Sequence, residues 1–246
     1  MQSAGALIER LRKVMPAGVE PKFRSAAELM AWQQEEARKH AAEVDKANQQ
    51  ARAEKIFGRS GIQQLHRHCS FGNFVVENEK QRHALSLAED YARGFGNGFA
   101  SFVFSGRPGT GKNHLAAAIG NHLLQQGRTV LIATVADLTL RARACYDDGH
   151  SEAALLNDLC NVDLLVLDEV GIQRESRGEK VLINQLIDRR LAALKPVGIL
   201  TNLGHAELRE TLGERVIDRL RMDNGLWVIF DWESYRGRVS HLRVVK

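Results

Sequence analysis

The sequence predicts an α/β fold built on a five-stranded parallel sheet, preceded by a small helical segment. Five short β-rich runs carry the prediction, at 100–105, 129–134, 163–168, 197–202 and 226–231. The segments between them are long enough for crossover helices, for example 113–126 and 179–194. Strands alternating with helices imply a parallel sheet, because each parallel pair needs a crossover. Runs such as Leu164-Leu165-Val166-Leu167 are also continuously apolar, which suits strands covered on both faces.

The segment ahead of the sheet differs in texture, and residues 1–57 contain no convincing strand. Leu7, Leu11 and Val14 recur at helical spacing, then Pro16, Gly18 and Pro21 interrupt it. Ser25 followed by Glu28 makes a capping box, and a long helix is expected from about Ala26 to Phe57. It is rich in Ala, Glu, Gln, Lys and Arg, with a sparse apolar stripe of Leu29, Trp32, Val44 and Ile56. So thin a stripe serves either a solvated extension or an adaptor that buries it on a partner. Residues 58–69 then read as a linker to a domain spanning 70–246.

Composition bounds the function classes. The 246 residues are 44% hydrophobic and 26% charged, an ordinary globular balance. No apolar run is long enough to span a bilayer, and residues 1–15 lack the apolar stretch of a signal peptide. Cys69, Cys145 and Cys160 are odd in number and widely spaced, so no disulfide framework is implied. A cytoplasmic protein is the simplest expectation. The net charge of +4 permits nucleic-acid binding without arguing for it.

The chemistry begins at the end of the first run. The stretch SFVFSGRPGTGKNHLAAAI leads a buried strand into Gly106, Arg107, Pro108, Gly109, Thr110, Gly111 and Lys112, and an apolar helix opens directly after. The glycines let the backbone turn tightly and aim its N–H groups inward, where they and the helix N-terminus cradle phosphate. Lys112 supplies a point charge to the β- and γ-phosphates of ATP. A chance Gly-rich turn is the competing reading. It would not also require strand, loop, lysine and helix in that order. The usual Ser or Thr after the lysine is replaced by Asn113. An amide carbonyl also ligates a hard cation, so Mg²⁺ binding through Asn113 is expected to be weaker and turnover slow.

The run at 163–168 ends in Asp168-Glu169. Asp168 is placed to hold Mg²⁺, and Glu169 to polarise the attacking water. Such a pair alone is often structural; downstream of a phosphate loop it points to catalysis. The run at 197–202 ends in Thr201-Asn202, at the sheet edge where ligands bind, so Asn202 is a candidate to contact the γ-phosphate or orient the water. A turn-forming Asn is the plain alternative.

Taken together, these motifs resemble the AAA+ ATPases, and in particular the DnaC family of replicative-helicase loaders. The carrying residues are GRPGTGKNHLAAAI at 106–119, NVDLLVLDEVG at 161–171, ILTN at 199–202, GERVIDRLR at 213–221 and LWVIFDWESYRGRV at 226–239. The resemblance extends over essentially the whole chain and includes the unusual Asn113. It implies an AAA+ P-loop NTPase domain without a separate lid domain, behind an N-terminal helicase-binding domain. It places Pro108, Thr110 and His114 in the ATP site, Asn202 as first sensor, Arg236 as second sensor, and Arg219 as an arginine finger reaching a neighbouring subunit. By residue pattern alone, Arg219 reads as a surface ion pair with Glu214 or Asp218. The family also inserts DNA-contacting helices after the second strand, where this chain has Arg141, Arg143 and Tyr146, cations beside an aromatic. An ordinary basic helix is the alternative there.

The implied function is ATP-dependent delivery of a ring-shaped, DnaB-type hexameric helicase onto single-stranded DNA, with self-association through the ATPase domain. Leu29 and Trp32 are the candidate helicase anchors. An IstB-type transposition helper and a non-hydrolysing ATP switch are the alternatives. His66, His68 and Cys69 crowd together, but adjacent ligands on one short segment rarely close a tetrahedral zinc site.

Overall fold

Each apolar run forms a strand: β1 Phe102–Gly106, β2 Val130–Thr134, β3 Leu164–Val170, β4 Val197–Thr201 and β5 Leu226–Phe230. All pairings are parallel, and the order across the sheet is β2-β3-β4-β1-β5. The computed structural model describes residues 25–57, 64–147, 152–171 and 177–235, with Phe23 and Ile62. The expected helix around Leu7–Val14, the breakers at 16–21, the linker residues 58–61 and Arg236 lie outside the described residues.

Among the described residues there are eight α-helices: α1 Ala26–Phe57, α2 Glu79–Gly94, α3 Lys112–Gln125, α4 Val135–Asp147, α5 Glu152–Asn161, α6 Arg177–Ala192, α7 His205–Leu212 and α8 Glu214–Leu220. None of the helices described is long and apolar enough to cross a membrane. The chain divides into two units, Met1–Asn48 and Gln49–Lys246. The division falls inside α1, ahead of the boundary at residue 57 that texture suggests. Helix α1 begins as its sequence dictates, with the Ser25 hydroxyl accepting from the Glu28 N–H at 3.2 Å.

The continuous apolar strands follow from burial on both faces. Side chains alternate along a strand, so Phe102 and Phe104 face one way and Val103 the other. On the first face they join Leu115 and Ile119 of α3 and the small residues Ala84, Ala88 and Ala92 of α2. The alanines recur every four residues, so α2 lies close against the sheet. On the second face Val103, Leu165, Leu167 and Ile199 pack with Leu138, Leu159, Ile183, Leu208 and Ile217 from α4–α8. With both faces covered, polar side chains are left at the C-terminal strand ends.

One buried cation lies in the second layer. Arg190 of α6 is wholly buried and donates to five backbone carbonyls, those of Leu159, Cys160, Val162, Asp163 and Pro196. Leu159 and Cys160 are at the C-terminal end of α5, where orphan carbonyls need donors and a cation meets the negative end of the helix dipole. Burial pushes the guanidinium pKa down to about 10, so it remains charged at neutral pH. Arg190→Ala would strand these acceptors, each costing about 1–3 kcal/mol if left unsatisfied. After partial rehydration the expected loss is on the order of 3–5 kcal/mol. Urea unfolding checks it, read as a lower midpoint at unchanged slope. A midpoint like the parent's would rule out this capping role.

Candidate functional site

The site is assembled on the C-terminal edge of the sheet. Strand β1 ends at Gly106, whose φ of 136° favours glycine. A Cβ there would stand 2.2 Å from the Phe230 carbonyl oxygen of the neighbouring strand. Gly109 and Gly111 also take positive φ, at 76° and 97°. A Cβ on Gly111 would come within 2.7 Å of the Phe74 ring. The loop is thus folded by its glycines and walled by parts of the chain remote in sequence. Its outer side is tied down by three hydrogen bonds: Arg107 N–H to Phe230 O at 3.2 Å, Trp232 Nε1–H to Thr110 O at 3.0 Å, and Tyr235 N–H to Gly109 O at 2.9 Å. Thr110 Oγ1 donates back to Arg107 O at 2.8 Å, while Pro108 is exposed at the tip.

Lys112 opens α3 and is almost fully buried. Its Nζ donates to Gly106 O at 2.7 Å, Arg107 O at 2.8 Å and Asn202 Oδ1 at 2.9 Å. A buried ammonium held by neutral oxygens at a helix N-terminus is the environment a phosphate group fits. Asn202, 90 residues away in sequence, is brought to it by the pairing of β4 with β1.

Asn113 and Asp168 also converge. The Asn113 Nδ2 donates to Asp168 Oδ2 at 2.6 Å. Burial pushes the Asp168 carboxyl above its ordinary range, opposed by hydrogen bonds from Glu169 N–H and Asn113 and by the charge of Lys112. A half-buried carboxylate beside a carboxamide, whose oxygen faces it once the amide turns, is a donor set that suits a hard cation such as Mg²⁺. The next residue bulges the strand. The register of β3 against β4 shifts between Leu167 and Val170, and Glu169 takes φ 60°. A non-glycine residue in the left-handed region is strained, and such strain gathers at functional sites. The bulge leaves Glu169 exposed while Asp168 is half-buried.

Beside the loop lies a cavity of about 370 Å³, whose lining includes Phe74, Val75, His114, Trp232 and Tyr235. His114 is turned toward its wall: Nε2 donates to Ser70 O at 3.1 Å, and the ring meets Phe74 edge-on at 5.4 Å. The aromatic lining has no motif spacing of its own. Those side chains come from segments far apart in sequence and meet through the pairing of β1 with β5 and the return of the 64–75 segment along α3.

Other nominated residues stand elsewhere. Arg219 on α8 donates to Asp188 of α6 at 2.6 Å, and Arg215 shares that carboxylate at 3.4 Å. Its partner is neither Glu214, which pairs with Arg209, nor Asp218, which lies 3.9 Å from Arg221. Arg141 and Arg143 are exposed on α4, with Arg143 at 3.7 Å from Glu179. Tyr146 is in the same helix, its side chain outside the described residues. Trp32 is 41% exposed and its ring lies 5.3 Å from that of Phe23, while Leu29 is half-buried. His66 and Cys69 offer backbone oxygens to Asn121.

The sheet order and loop define a P-loop nucleotide-binding protein of the AAA+ type. Residues 21–241 match the family model of the IstB-like ATP binding proteins. The replicative helicase loader DnaC of Escherichia coli K12 is 52% identical over 98% of both chains. The Buchnera aphidicola (Schizaphis graminum) DnaC is 47% identical over 93% of this chain and 94% of its own. An uncharacterized protein, YdaV of Escherichia coli K12, is 50% identical over 99% and 98%. A crystal structure of the DnaC helicase loader aligns with TM-score 0.61 and 27% identity, over 68% of this chain and 98% of that one. DnaA bound to AMPPCP and single-stranded DNA aligns at TM-score 0.58 and 22% identity, over 67% and 50%, a likeness of fold. The chain belongs to the DnaC family of replicative helicase loaders.

Proposed function

We propose that this chain is an ATPase that loads a ring-shaped, DnaB-type replicative helicase onto single-stranded DNA. The convergence of Lys112, Asn202, Asn113 and Asp168 on one glycine loop carries the reading, and the similarity to a helicase loader over 98% of both chains supports the choice of partner. The loop N–H groups and the start of α3 bind the triphosphate, with Lys112 exchanging its carbonyl partners for phosphate oxygens. The cavity beside the loop takes the base against its aromatic walls. Asp168 and a turned Asn113 carboxamide hold Mg²⁺, which supplies charge neutralisation at the phosphates. Glu169 accepts the proton of the attacking water as its oxygen bonds to the γ-phosphorus and the bond to the bridging oxygen breaks. Asn202 orients that water. Arg219 acts on the ATP of a neighbouring subunit after leaving Asp188, and Arg236 serves as second sensor. Arg141, Arg143 and Tyr146 contact single-stranded DNA through phosphate pairing and base stacking.

Leu29 and Trp32 anchor the N-terminal helix on the helicase, because a large aromatic on an otherwise polar helix contributes most when buried at an interface. Replacing both with Ala in the full chain is expected to weaken helicase capture at least about tenfold, the scale of one lost hot spot, with ATP affinity unchanged. Co-purification with the host replicative helicase, with and without ATP, measures it. Parental capture by the double variant would move the contact off α1. The match to the IstB-like model makes a transposition helper the rival; capture of a transposase in place of the helicase would decide for it.

A further inference from the structure

The turn leading into the nucleotide cavity has one buried side chain, Cys69, packed on Ala117 of α3, and is otherwise held through its backbone. Gln64, Leu65, Arg67 and His68 are exposed, Leu65 by 82%, and within 64–70 only Cys69 is buried. Its backbone oxygens are instead claimed one after another. The Asn121 Nδ2 of α3 donates to His66 O at 3.2 Å, Arg67 O at 3.3 Å and Cys69 O at 2.8 Å. Asn73 Nδ2 takes His68 O at 2.7 Å, and His114 takes Ser70 O at 3.1 Å. Five consecutive carbonyls are thus satisfied, three of them by a single side chain. An amide nitrogen carries two hydrogens, so three convergent carbonyls share them and the turn has one setting that serves all three.

That setting matters because the turn is part of the cavity wall, through Leu65, His66 and Cys69, and leads directly into Asn73, Phe74 and Val75 of the same wall. The opposite side is the phosphate loop, which runs into the same helix α3 that carries Asn121 about two and a half turns further on. Helix α3 therefore binds phosphate at its first residue and fixes the base wall from its tenth.

We infer that Asn121 is a positioning residue for the base end of the nucleotide, acting by latching the 64–70 turn to α3. The inference rests on the ATP reading above and adds a residue outside the phosphate-loop motif. Removing the donor lets Phe74 and Val75 drift from the base while leaving the loop and Lys112 in place. It predicts a split between nucleotide and bare phosphate affinity that a general loss of structure would not produce.

The test uses the full chain as Asn121→Ala and as Asn121→Asp, which keeps the shape but presents no donor. Dissociation constants are measured by calorimetry for ATP and for inorganic tripolyphosphate. Both variants are expected to bind ATP about tenfold more weakly, the scale of one positioned hydrogen bond, and tripolyphosphate within about twofold of the parent. Tryptic cleavage after the exposed Arg67 is expected to accelerate in both. Unchanged ATP affinity, an equal fall for both ligands, or unchanged cleavage each overturns the latch. Absence of ATP binding by the parent would overturn the nucleotide reading and this inference with it.

Discussion

Lys112→Ala is expected to lower ATP affinity by about 100-fold or more. The buried ammonium stands where two charge-assisted hydrogen bonds to phosphate would form, together worth roughly 3 kcal/mol, and each 1.4 kcal/mol is about a tenfold change. The N–H cradle remains but cannot offset the charge of a triphosphate in a half-buried site. Because Lys112 also bonds Gly106 O and Arg107 O, Lys112→Met, which keeps the aliphatic volume, controls for loop collapse. Titration with a fluorescent ATP analogue reads the effect, and parental affinity in both variants would sink the phosphate-loop assignment. The same variant tests the trans role of Arg219. Alone, neither Lys112→Ala nor Arg219→Ala should sustain assembly-dependent hydrolysis; mixed, they should recover part of it, one supplying the arginine and the other the nucleotide. No recovery at any ratio counts against a shared site.

Glu169→Gln is expected to keep ATP binding and slow hydrolysis by about 10²-fold or more, the contribution of a positioned general base. The substitution is a clean probe because the backbone strain belongs to position 169 rather than to its charge. At φ 60° a glutamine meets the same steric penalty as a glutamate. Only the basicity of the side chain changes. Phosphate release under single-turnover conditions separates the effect from binding, and a parental rate would remove Glu169 from the chemistry. A parent chain that binds ATP without turnover would favour the non-hydrolysing switch.

How much of this was legible before folding depends on the range of each interaction. Lys112, Asn113 and the loop glycines belong to one strand–loop–helix run, so their joint role was readable from spacing. Asp168 and Glu169 are readable as a pair that strand alternation turns in different directions, but which is half-buried and which exposed is not. That comes from a bulge of β3 against β4, which depends on the partner strand. Helical spacing puts Arg190, and not Arg189, on the stripe of Ile183, Leu186 and Ile187, but the carbonyls that receive its guanidinium come from segments outside that helix. Asn121 belongs to no motif of its own within the apolar helix that follows the loop. Arg219 has Glu214 and Asp218 as its acidic sequence neighbours, yet its partner Asp188 lies in another helix.

The sequence by itself determined the alternation of apolar runs and helices, the long N-terminal helix, and the phosphate loop, because each is set by backbone preference and side-chain periodicity within a short stretch. Tertiary structure alone decided that β1 lies between β4 and β5. That arrangement puts Asn202 on Lys112 from one side and Trp232 on the loop from the other. Strand neighbours are selected by burying both faces of the sheet at once, a condition on the whole chain that no local segment encodes.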